Sequence, residues 1–140
     1  METKRDIFDR IQNDLEGPVF YLCRDVVSFL ISDNAKKLNH ITYHTLLNGV
    51  EILDLKPTDR ALLLKVTDYL SSNKLHLLDM HFQFIESDDS EPVPLDDEEI
   101  SSALFEGVFY HPETGRPVEN YRDLIFPYFT PTKLLESIHV

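Results

Sequence analysis

The stretch from Pro18 to Asp33, PVFYLCRDVVSFLISD, is apolar on nearly every side. Val19, Phe20, Leu22, Cys23, Val26, Val27, Leu30 and Ile31 cover more than a single helical stripe, and a helix of that kind belongs inside a domain with partners on several faces. Its ends are marked. Pro18 follows Gly17 in a first turn, where a missing N–H costs nothing, and Asn34 tolerates the left-handed conformation that stops a helix. Interrupted by Arg24 and Asp25, the run is short of the roughly 20 apolar residues that a bilayer crossing takes. The chain is therefore organised around an internal helix that other elements must cover.

The flanking sequence supplies such elements. Thr3 caps a helix to about Leu15 whose Ile7, Phe8, Ile11 and Leu15 share one face, so residues 1–16 read as an N-terminal packing segment. Thr42 caps a third helix through about Leu53, buried through Leu46, Leu47 and Val50 and weakened by Gly49. Lys56-Pro57-Thr58-Asp59 starts a fourth, running to about Ser72 with Leu62, Leu63, Val66, Tyr69 and Leu70 inward and Arg60, Lys65, Thr67 and Asp68 toward water. Residues 18–72 are thus expected to form a helical core.

Beyond it the period changes. Leu78, Met80, Phe82 and Phe84 alternate with Asp79, His81 and Gln83, the pattern of a half-buried strand. Residues 86–99, ESDDSEPVPLDDEE, hold eight carboxylates and no Lys or Arg, and read as a solvated loop. Asp96 followed by Glu99 forms a capping-box sequence, which predicts a short helix from Asp97 to Phe105 ended by Gly107. Val108, Phe109 and Tyr110 read as a second strand, His111 to Gly115 as a tight turn, and Arg116 to Val118 as a returning edge strand. Tyr121 to Phe129 is too apolar to be left in water and should wrap back onto the core, and Thr132 caps a last helix through Ile138. The expectation is a single α+β domain over residues 1–140, its segment 75–140 a hairpin or wing with an acidic insert.

Catalytic signals are sparse. His40 and His44 lie four apart, a spacing that could share a metal, but the Thr42 cap falls between them and neither an HExxH pattern nor a third ligand accompanies them. Asp79 and His81 share the outward side of the strand with His76 nearby, which reads as an exposed polar face in the absence of a substrate-facing partner. Cys23, the one cysteine, lies in the core helix rather than in an electropositive cleft, and no Gly-rich phosphate loop, CxxC or GxSxG occurs. No catalytic residue, metal or cofactor is assigned, and the chain is expected not to be an enzyme.

Three helices at residues 18–33, 42–53 and 58–72, then a strand, a long excursion and a return strand, make an order that resembles a winged helix-turn-helix domain over about 100 residues. In the DNA-binding members of that class the third helix enters the major groove with basic and amide side chains. Here the matching helix offsets Arg60 and Lys65 with Asp59 and Asp68, and the wing position holds the most acidic stretch of the chain. The resemblance therefore implies the scaffold, and its chemistry favours a protein-binding use.

Charge points the same way. Twenty-five acidic residues against thirteen basic give a formal net charge of −12, which argues against duplex DNA and anionic membranes as partners, since both demand clustered Lys and Arg. The N-terminus, METKRDIFDR, lacks the apolar run of a signal peptide, so the chain is expected in the cytoplasm. The expected function is a non-enzymatic interaction module: an adaptor, inhibitor or complex subunit, as in toxin neutralisation or phage–host conflict, presenting an acidic, aromatic surface to a basic protein partner. The residues expected to carry it are Asp88, Asp89, Glu91, Asp96, Asp97, Tyr110, Tyr121 and Tyr128, with some of the aromatic cluster Phe105, Phe109, Tyr110, Tyr121, Phe126, Tyr128 and Phe129 at the interface. The alternatives are a dimeric winged-helix DNA-binding regulator and a metal-dependent enzyme using His40, His44 or the Asp79 and His81 strand face.

Overall fold

Thr3 accepts from the Asp6 amide while the Asp6 carboxylate accepts from the Thr3 amide, so helix α1 (Lys4–Asp14) opens with a capping box, and these bonds hold the Asp6 carboxyl below its ordinary value. The computed structural model describes residues 3–32, 35, 38–52 and 56–138. Helix α2 (Gly17–Leu30) is the internal helix, with Cys23, Val26, Val27 and Leu30 buried against α1 and two later helices. One side stays open, since Tyr21 is exposed beneath the Arg24 guanidinium, 5.1 Å from its ring centre. The helix stops at Leu30, where the Ser32 hydroxyl donates to the Phe29 carbonyl; Asp33 and Asn34, its expected end, lie outside the described residues.

Helix α3 (Tyr43–Gly49) carries a second capping box, between Thr42 and Thr45. It is shorter than expected, because Val50 leaves the helical conformation and Glu51 follows at φ +61°, while Leu53, its expected end, lies outside the described residues. Helix α4 (Pro57–Leu70) starts as its sequence predicts, with Asp59 accepting from the Lys56 amide. Thr67, expected toward water, is fully buried. Its hydroxyl donates back to the Leu63 and Leu64 carbonyls at 3.1 Å, so the polar atom needs no solvent.

The chain divides into two units, Met1–Asp79 with Phe129–Val140, and Met80–Tyr128. Strands β1 (Leu78–Phe84), β2 (Val93–Leu95) and β3 (Ile125–Pro131) form an antiparallel sheet in the order β2-β1-β3. The pairs Phe82–Leu95, Gln83–Pro94 and Phe84–Val93 set the β1–β2 register. Gln83, expected to face out, is buried, so the outward side of β1 is covered at this position. The acidic tract is not one solvated loop: its Val93-Pro94-Leu95 is β2, tolerated because a sheet-edge strand accommodates proline. Val108 to Tyr110, expected as a strand, contributes only an isolated bridge from Tyr110 to Pro117 across the His111–Gly115 turn.

Helix α5 (Asp97–Glu106) follows β2 and ends at Gly107 in the left-handed conformation, as expected. The Tyr121–Phe129 segment builds helix α6 (Tyr121–Leu124) and most of β3. Within Met80–Tyr128 a small core forms from Phe84, Leu95, Ala103 and Phe109. Thr132 caps helix α7 (Lys133–Ser137), and its backbone and side chain both bond to Leu77. Ile41, just before α3, pairs with Phe129 of β3 through bonds of 2.8 and 2.6 Å. The result is an α+β fold, helical with a small three-stranded antiparallel sheet, an arrangement compatible with a winged helix. No described helix is long and apolar enough to cross a membrane.

Candidate functional site

Met80–Tyr128 carries twelve carboxylates against two arginines, a formal charge of −10 out of the chain's −12. The fold assigns these carboxylates unequal tasks. Glu86 accepts from His111 Nε2 at 2.7 Å, and His111 Nδ1 accepts from the amides of Glu113 and Thr114 at 3.1 and 3.3 Å. Nδ1 acts as an acceptor, so the ring carries its proton on Nε2 and pins the turn to the end of β1. Asp96 accepts from the Glu99 amide at 2.7 Å as the α5 cap, and Asp97, Glu98 and Glu99 crowd the first turn, where the helix dipole favours negative charge. Asp88, Asp89 and Glu91 remain exposed around a turn closed by the Ser87 and Ser90 hydroxyls, 2.8 Å apart.

The aromatic cluster separates. Phe109 and Phe129 are core, whereas Tyr110 and Phe126 are exposed and Phe105 is 93% exposed. Tyr121 is half-buried and donates to the Ala103 carbonyl, and Tyr128 is half-buried with its ring stacked on His81 at 5.2 Å. Of the tyrosines expected at an interface, Tyr110 is thus the one presented most openly. Leu104, 61% exposed, was not anticipated. The signal was available: with Ile100 and Ala103 inward at 100° per residue, Phe105 must point away from the core and Leu104 must lie on its edge.

Two clefts flank α5. An acidic one of about 350 Å³ is lined by Asp96, Glu98, Glu99, Ser102, Glu106 and Tyr110, among others. An apolar groove of about 200 Å³ is lined by Phe82, Ile100, Ala103, Leu104, Tyr121 and Ile125, with Arg122 also at its edge. Together they offer non-covalent recognition: fixed negative charge beside uncovered apolar surface.

The sequence's other candidates are placed differently. Asp79 meets His76, at 2.6 Å and exposed. His40 is exposed ahead of the Thr42 cap, while His44 Nε2 lies 3.2 Å from the Asn48 amide nitrogen within α3. Burial pushes the Cys23 thiol up to about 12, so it is not poised as a nucleophile. Among the described residues no group of three or more His, Cys, Asp or Glu is placed to hold a metal ion. Comparison of the chain with protein families, curated proteins and solved structures finds no significant match.

Proposed function

We propose that this chain is a non-enzymatic protein-interaction module, an adaptor, inhibitor or complex subunit, in which a winged-helix-like scaffold presents residues 80–128 to a basic protein partner. The observation that carries this reading is the coincidence, on one short helix, of exposed Leu104 and Phe105 with the carboxylates of Glu98, Glu99 and Glu106. Large apolar side chains left in water are costly unless something covers them, and a rim of one charge selects the sign of what does.

A DNA-binding use of the same scaffold is favoured by the order of α2, α3, α4, β1 and β3, with Ile41 bridging to Phe129. It is disfavoured by α4 itself. Arg60 lies there in an apolar groove with Tyr43, Leu47, Leu63 and Leu64 rather than in a row of cations.

Tagged protein is incubated at low salt with extract of the cells that carry its gene, and both protein and nucleic acid in the eluate are quantified. The expected result is a stoichiometric basic protein that salt releases and that the Glu98→Gln, Glu106→Gln, Phe105→Ser variant does not retain. Recovery of DNA without protein overturns the proposal in favour of the DNA-binding use.

A further inference from the structure

We infer that α5 is a ridge straddled by its partner, whose recognition element is bipartite: a basic cluster on one flank and an apolar anchor on the other, separated by roughly one helix diameter, ~10 Å. This deepens, and rests on, the protein-binding reading of residues 80–128. Ala103 is 4% exposed and roots the helix, and Phe105, two residues on, forms the crest. Glu98, Ser102 and Glu106 succeed one another at four-residue spacing along the wall of the acidic cleft. Ile100 and Leu104, also four apart, form the wall of the apolar groove on the other flank. Beyond its first residue, Asp97, which falls on the Ile100 and Leu104 side, the helix sorts its exposed side chains by chemistry across its own width.

Charge decides the occupant. A second copy docking through the same face would bring a unit of −10 against one of −10, and nucleic acid would add phosphates to carboxylates. A purely cationic ligand would leave Leu104 and the crest of Phe105 in water, whereas a purely apolar one would desolvate the carboxylates of the opposite flank without pairing them. A segment with both features satisfies both flanks. Arg122, lying over the Tyr121 ring at 5.9 Å, places a like charge beside the apolar groove and so assigns the partner's cations to the other side of the helix.

The test titrates the full chain with three labelled peptides of equal length: one with leucines and lysines on opposite faces, one with serine in place of leucine, and one with glutamate in place of lysine. The first should bind at least about tenfold more tightly than either of the others. Leu104→Ser and Phe105→Ser, both at exposed positions, should each weaken the first peptide about tenfold while leaving the lysine–serine peptide unchanged. Glu98→Gln with Glu106→Gln should weaken it and flatten its salt dependence. Equal binding of the lysine–serine peptide overturns the ridge inference and leaves the acidic-surface reading standing. Equal binding of the glutamate peptide, or no binding by any of the three, overturns both.

Discussion

Gly49 shows how a residue's role depends on what stands opposite it. By sequence it only weakens a helix, but a Cβ built there would lie 2.5 Å from the Phe29 ring, so the glycine is what lets α2 and α3 approach. Gly49→Ala should therefore lower stability by about 1–3 kcal/mol, seen as a lower denaturant midpoint, although alanine is the better helix former. Cys23 yields a pH prediction. The unfolded thiol ionises near 9.0, whereas the buried one is held up to about 12, so above pH 9 the unfolded chain gives up a proton that the folded chain retains. Stability is then intact below 9 and declines as pH rises toward 12, by up to about 1.4 kcal/mol per pH unit from this group. Tyr69, whose phenol is raised above 10.0 by burial and by its bond to Asp14, adds to the decline. Chemical denaturation at a series of alkaline pH values measures it, and Cys23→Ala should make the decline shallower.

Elements bounded by local chemistry were legible before the fold was known. Thr3, Thr42, Pro57, Asp96 with Glu99, and Thr132 each start the helix their sequence predicts, because a cap is made by atoms three residues apart. Strands were harder. Pro94 and Pro127 hide β2 and β3, and both strands exist only because β1 lies between them, a contact no short window contains. The residues proposed for the interface divide along the same line: the exposure of Leu104 and Phe105 follows from helical angles, while the use of Tyr121 on the Ala103 carbonyl and Tyr128 on His81 depends on distant partners. Asp96→Ala should remove the α5 cap at a cost of about 1 kcal/mol and speed amide exchange in the first turn of that helix. His111→Ala should loosen residues 111–116 in the same exchange experiment, because it takes away one donor and the acceptor of two turn amides.

At the scale of the molecule the charge is lopsided: residues 80–128 hold −10 of the −12, and the remainder is close to balanced. Self-repulsion within so small a unit is screened by salt, whose Debye length falls from about 30 Å at 0.01 M to about 10 Å at 0.1 M. The thermal midpoint of the chain should therefore rise with sodium chloride over that range, and Asp88→Asn, Asp89→Asn and Glu91→Gln together should reproduce part of the rise at low salt. The chain leaves the helical unit along β1 and returns along its sheet neighbour β3, and Thr132 binds back to Leu77 just outside the two crossing points. Residues 80–128 are in that sense an insertion whose two ends lie on adjacent strands. Because both ends of the segment lie on neighbouring strands, inserting residues into the exposed Ser87–Ser90 turn is expected to cost only the small entropy of a longer loop, measurable as a small fall in the denaturant midpoint.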